Sequence, residues 1–220
     1  QESDRAFEQR RYDSVAQNAQ GSISALRGEV ASIEGVTDVF CTENNTSEAV
    51  TYGATNYSLL PHSIYVGVVG GADADIAEAI WRRKNAGSNM NGNTTVSVSD
   101  TDSYVYPYPT YNITFNRPTS TPLYVEVNLQ DDANLPAEIV QQTKQAVLSV
   151  FSGEAGNGRG RIGGTIYTAG YYGAVMALSE YLNVISIYIG KSANPTGTMV
   201  TMGIDEAPVL SESQITVNLV

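Results

Sequence analysis

A chain of 220 residues has room for one large domain or two small ones, and 42% apolar content is that of a soluble globular protein. Twelve basic residues against 23 acidic ones leave a formal net charge of −11, which repels phosphate backbones and anionic lipid, so neither nucleic acid nor a membrane surface is an expected partner. The single cysteine, Cys41, excludes an internal disulfide and a paired-cysteine metal site, and no apolar run approaches the ~18 residues of a membrane span.

Residues 1–34 read as a helical segment. The first helix, "SDRAFEQRRYDSVAQNAQ", has few apolar anchors beyond Phe7 and Val15, with Ser3 and Asp4 as candidate N-caps. Gly21 breaks it. Ile23, Leu26, Val30 and Ile33 then recur at helical spacing, and Gly35 suits the position after a helix end. The chain starts at Gln1 without a secretory leader pattern, which suggests a fragment or processed product of a longer protein.

From Val36 the pattern turns to β. "GVTDVFCTEN" reads as a strand that places Cys41 in a core as a small hydrophobe, and "NNTSEA" and "YGATN" supply turns. "HSIYVGVVG" is nearly continuously apolar, as in a strand covered on both faces. A helix follows from about Asp73 to Ala86, with Ile76, Ala77, Ile80 and Trp81 inward and Arg82, Arg83 and Lys84 in its last turns. "TTVSVSD" closes this β-β-α-β unit, residues 35–102.

"DTDSYVYPYPT" has the composition of an extended linker, placed at residues 103–110. Its exposed or self-packed state is open: the tyrosines either form a contact surface or fold back over the core. A second unit, residues 111–220, repeats the order of elements. "YNITFNRP" and "LYVEVNLQ" are strands. A helix from Asn134/Pro136 to Ser152 turns Ile139, Val140, Val147, Val150 and Phe151 inward. Another, at 168–182, carries Tyr171, Val175, Leu178 and Leu182, and "NVISIYIG" and "SQITVNLV" end the chain as strands. The expected fold class is α+β: an N-terminal helical segment followed by two small α/β sandwich domains with mixed or antiparallel sheets.

The candidates for chemistry are few. Gly67, Gly70 and Gly71 precede a helix but lack dinucleotide-fingerprint spacing, and Asp73 and Asp75 would repel a phosphate from that helix end, so Asp73 reads as an N-cap after a sharp turn. "GEAGNGRGRIGG", residues 153–164, carries Arg159 and Arg161 but no Gly-Lys-Ser/Thr, and reads as a mobile loop that could order against a neighbouring subunit. Asp73/Asp75, Asp100/Asp102 and Asp131/Asp132 do not match a calcium loop and suit caps and turns. His62 is the sole histidine, without a Gly-x-Ser-x-Gly elbow to serve. Asn56, Asn93 and Asn112 begin Asn-x-Ser/Thr triplets that an Asn- and Thr-rich chain produces by chance. No catalytic, cofactor-binding or metal-ligating residue is therefore assigned.

Several stretches together resemble one family. "ESDRAFEQRR", "GVTDVFCTENNT", "LPHSIYVGVVGGADADIAEAIWRRKNAGSNMNGNTTVSVSDTD" and "TFNRPTSTPLYVEVNL" are similar to the C-terminal two thirds of baseplate J-like proteins, most strongly over residues 35–129. The resemblance implies a structural component of a contractile-tail phage baseplate wedge, without catalysis or cofactors. It implies contacts with other copies of itself, as a homo-oligomer, and with neighbouring wedge proteins in the ring around the tail hub. It also implies location in the virion baseplate, after assembly in the host cytoplasm, and an N-terminal β-rich domain upstream. The alternative from the residues is a virion receptor- or carbohydrate-binding module using Tyr104, Tyr106 and Tyr108. An enzyme built on His62 is the third possibility.

Overall fold

The computed structural model describes residues 21–154 and 159–220, so the helix expected over residues 3–20 lies outside the described residues. The described residues form four α-helices and fourteen strands in several small sheets, a mixed α+β fold. The chain divides into two compact units, Gln1–Pro118 and Thr119–Val220.

In the first unit, α1 (Ile23–Ala31) starts where the Ser22 hydroxyl accepts the Ala25 N–H at 3.1 Å. Leu26 and Val30 bury its inner stripe, each contributing about 1.5–3 kcal/mol by leaving water. That stripe enters the same core as Val39, Val66, Ile76 and Ile80. Residues 23–31 thus belong to the first unit. Gly35 lies beyond the helix cap, at φ +79°, and turns the chain into β1.

Strands β1 (Val36–Asn44), β2 (Val50–Tyr52), β3 (Tyr57–Leu59) and β4 (Ser63–Gly70) come next. Then α2 (Asp73–Arg83) precedes β5 (Asn89–Asn91), β6 (Thr94–Ser99) and β7 (Thr110–Phe115). β4 is central, antiparallel to β1 and parallel to β5. Its residues Ser63–Val68 are all buried, as a strand covered on both faces must be. Ile64, Val66 and Val68 belong to the core cluster with α1 and α2 residues. Tyr65 meets the Tyr57 and Phe40 rings edge-on at 5.0 and 6.4 Å.

The boundary between units corrects the sequence reading. β7 pairs with β6 over six residues in an antiparallel hairpin and sends Ile113 and Phe115 into the first core. Residues 100–109 are the tip of that hairpin, not an interdomain linker, and the division falls after Pro118. Prolines and clustered tyrosines lack strand or helix periodicity in either role, which is why composition did not separate them.

The second unit contains β8 (Thr119–Pro122), β9 (Tyr124–Leu129), α3 (Ile139–Ser152), β10 (Thr165–Tyr167) and α4 (Ala169–Met176). It continues with β11 (Val184–Gly190), β12 (Met199–Thr201), β13 (Glu206–Val209), a 3₁₀ turn (Glu212–Gln214) and β14 (Ile215–Leu219). β9 is central, antiparallel to β11 and parallel to β14. It alternates strictly: Val125, Val127 and Leu129 face a core with Ile139, Val147, Val150, Tyr171 and Val175. α3 begins at Ile139, later than expected, because Asp132–Pro136 is spent on turns: Asp132 Oδ1 accepts the Asn134 N–H and the Asp132 carbonyl accepts that of Leu135. α4 stops at Met176, and Leu182 is buried from the following turns instead of from helix.

Two glycines give opposite expectations. A Cβ at Gly92 would lie 2.1 Å from the Phe115 carbonyl oxygen, whereas one at Gly173, in the exposed face of α4, meets nothing within 4 Å. Gly92→Ala is expected to lower unfolding free energy by about 3 kcal/mol. Gly173→Ala is expected to raise it by about 0.5–1 kcal/mol. Urea titration followed by circular dichroism measures both.

Candidate functional site

The turn from β4 into α2 has the outline of a phosphate loop and the opposite polarity. Gly70 and Gly71 take φ of +77° and +72°, and a Cβ on Gly70 would strike the Gly35 carbonyl at 2.1 Å. The turn aims carbonyl oxygens inward, and the group they receive is the Arg117 guanidinium, just past the end of β7. Its Nη1 donates to the Val68 carbonyl at 3.2 Å and to that of Gly70, and its Nη2 donates to the Gly71 carbonyl at 2.8 Å. Nε at 3.0 Å and Nη2 at 2.5 Å both donate to Asp73 Oδ1. These five contacts match the five N–H groups of a guanidinium. Arg117 also stands over the Phe115 ring, 5.3 Å from its centroid. Its backbone is clipped to Asn93, whose Oδ1 accepts the Arg117 N–H at 2.8 Å while Nδ2 donates to the Arg117 carbonyl at 2.9 Å.

Asp73 is therefore the first residue of α2 and a partner of Arg117; the cap position belongs to Ala72, which has no side-chain cap bond. Sequence reasoning missed Arg117, quoting it only within "FNRP". A signal was present: it is the only basic residue between Lys84 and Lys144 in a strongly acidic chain.

The other candidates are dispersed. His62 sits exposed at φ 49° in the turn before β4, at the rim of a cavity of about 160 Å³ also lined by Ser22, Glu43, Ser63 and Arg83. The Ser63 hydroxyl donates to the Leu60 carbonyl and accepts from the Asn91 amide, and Arg83 is held by Glu29 at 2.8 Å. A serine–histidine pair is thus not assembled there. Asp100 Oδ1 accepts the Ser103 N–H at 2.9 Å, so it caps the hairpin tip, and Asp132 makes the turn before α3. Among the described residues, no group of three or more His, Cys, Asp or Glu side chains could hold a metal ion. No helix of the described residues is long and apolar enough to cross a membrane.

The Gly-rich loop is described at its two ends, residues 155–158 lying outside the described residues. Gly153 ends α3 at φ +89°, the Gly160 N–H donates to the Phe151 carbonyl at 3.2 Å, and Ile162 is buried. Both described flanks are thus pinned. Asn93 and Asn112 are engaged, the latter accepting from Ser97 at 2.8 Å.

The open question on the tyrosine-rich stretch resolves as exposure. Residues 101–108 form one exposed run, with Val105 at 90% and Tyr106 at 81% accessibility. The tip is held at its base, where the Asp100 N–H donates to the Pro109 carbonyl at 3.0 Å and Tyr111 lies 5.9 Å from Trp81 between ring centroids. No family model matches the chain, and no curated protein matches it.

Arg117→Lys removes the planar fork and leaves acceptors of the turn unfilled, so it is expected to cost about 2 kcal/mol of stability. Asp73→Asn, at a carboxylate 53% exposed, is expected to cost about 0.5 kcal/mol. Chemical denaturation of both variants checks the ratio. Burial pushes the half-buried Cys41 thiol up to about 12, with the charge of Arg27 pulling weakly the other way. A thiol that holds its proton at pH 8 is expected to react with an aromatic disulfide reagent at least about 100-fold more slowly in the native than in the unfolded chain.

Proposed function

We propose that this chain is a structural component of a contractile-tail phage baseplate wedge, joining copies of itself and neighbouring wedge proteins in the ring around the tail hub. The observation that carries the reading is where the stretches behind the family resemblance fall. "ENNT" contains the buried Asn44, whose amide donates to the Glu48 and Leu60 carbonyls and ties the chain beyond β1 to the end of β3. "PHSIYV" opens β4, "GGADADIAEAIWRRKNAG" is the turn with α2, and "FNRP" holds Arg117. The resemblance thus rests on residues that build a frame, as suits a protein that acts through its shape. The acidic surface limits premature association and adhesion to DNA in the infected cell.

A second reading, a virion module that binds carbohydrate, draws support from the exposure of Tyr104, Tyr106 and Tyr108. The Tyr106 and Tyr108 rings meet at 85°, however, and so do not form one continuous platform for a sugar face. Deletion of the gene from the phage that carries it, followed by negative-stain electron microscopy of lysates, tests the first reading. Loss of assembled baseplates with accumulation of unattached heads is the expected result; normal contractile particles would overturn it.

A further inference from the structure

We infer that the β6–β7 hairpin tip is a self-association surface, which meets the same tip of a second copy. The inference rests on the reading of the chain as an assembly subunit and names the surface that such a subunit would use.

Charge supports a second copy as the occupant. Two chains of net charge −11 repel one another, so they can touch closely only where neither presents charge. Residues 103–116, "SYVYPYPTYNITFN", contain no Asp, Glu, Lys, Arg or His, and the two carboxylates of the tip, the buried Asp100 and the exposed Asp102, precede this run. At the apex of this run Val105 and Tyr106 are almost wholly in water, and Tyr104, Tyr108 and Tyr111 are also exposed.

Area is sufficient for an association of moderate strength. An aromatic side chain covers about 150–250 Å² when buried, so the exposed fractions of Tyr104, Val105, Tyr106, Tyr108 and Tyr111 leave roughly 600 Å² per copy. A stable interface takes about 800 Å² per partner, and a smaller contact suffices where many copies are held in one ring.

The surface is also pre-organised. Asp100 fixes both sides of the tip, receiving the Ser103 N–H and donating its own N–H to Pro109, and the Tyr106 and Tyr108 rings pack on each other at 6.0 Å. Little conformational freedom is left to lose on docking. An aliphatic apex flanked by rings set edge to face suits interlocking with an identical tip about a two-fold axis.

The test is sedimentation velocity on the purified full chain from about 1 to 500 µM, at 0.05 and 0.5 M NaCl. Wild type is expected to self-associate, and more tightly at the higher salt, because salt screens the repulsion of two acidic bodies and leaves apolar contact intact. Val105→Asp and Tyr106→Ser, at positions whose side chains hold up no core, are expected to weaken association at least tenfold. Tyr167→Ser, at an exposed tyrosine of the other unit, is expected to leave it unchanged. A monomer at every concentration overturns the proposal, as does equal weakening by Tyr167→Ser. So does glycan-array binding by a monomeric chain that is lost in Tyr106→Ser. Phage carrying Val105→Asp separates this inference from the reading beneath it. Normal baseplates there, with loss of baseplates on gene deletion, would sink the tip and keep the wedge.

Discussion

The first unit depends on one guanidinium. The turn between β4 and α2 exposes several carbonyl oxygens on one side, a cost that a tight reversal through two left-handed glycines imposes. Gly70 is exposed and Gly71 partly so, which makes water the competing partner for these oxygens. Arg117 meets them instead, from just past the end of β7, 46 positions along the chain from Gly71. It binds three pieces at once: the end of β4, the first residue of α2 and the end of β7. A lysine would supply one point of charge in place of a planar fork.

That arrangement fixes where the hairpin goes. β7 is tied at its far end by Arg117 and by the reciprocal bonds to Asn93, and the Asn116 backbone joins β4 through Val66 and Val68. Phe115 and Ile113 pin its middle in the core, and Tyr111 leans on Trp81. What remains unanchored by packing is the turn itself, residues 101–108. The exposed aromatic tip is therefore the end of an anchored hairpin and not a connection between units.

Legibility from sequence followed the strength of periodic signals. β4 was readable because eight consecutive residues without a formal charge leave few alternatives to a doubly covered strand, and α1 because Ile23, Leu26, Val30 and Ile33 recur at helical spacing. β9 and α3 were readable for the same reasons. What escaped was long-range. Arg117 carries no local pattern, since its partners lie 44 to 49 positions away. The hairpin was missed because a proline- and tyrosine-rich tip has the composition of a linker, and only the pairing of Val96 with Ile113 reveals the difference. Short β5 and the β2–β3 hairpin were lost in turn-rich stretches, where three-residue strands leave no period to detect.

The hairpin tip of the first unit and the outer sheet face of the second differ in what they still demand. On the face of the second sheet opposite its core, Asn218 donates to Asn128 at 2.8 Å and Asn128 to Ser186 at 2.9 Å, a ladder that satisfies amides across all three strands. Polar groups already bonded to one another gain little from a partner, because docking would exchange made bonds for new ones at the expense of desolvation. Exposed rings and an exposed valine are in the opposite position, since every neighbour that excludes water from them lowers the free energy. In a chain whose charge resists crowding, an apolar apex without charge from Ser103 to Pro109 is where attraction can exceed repulsion. The placement of that projection follows from the Arg117 lock.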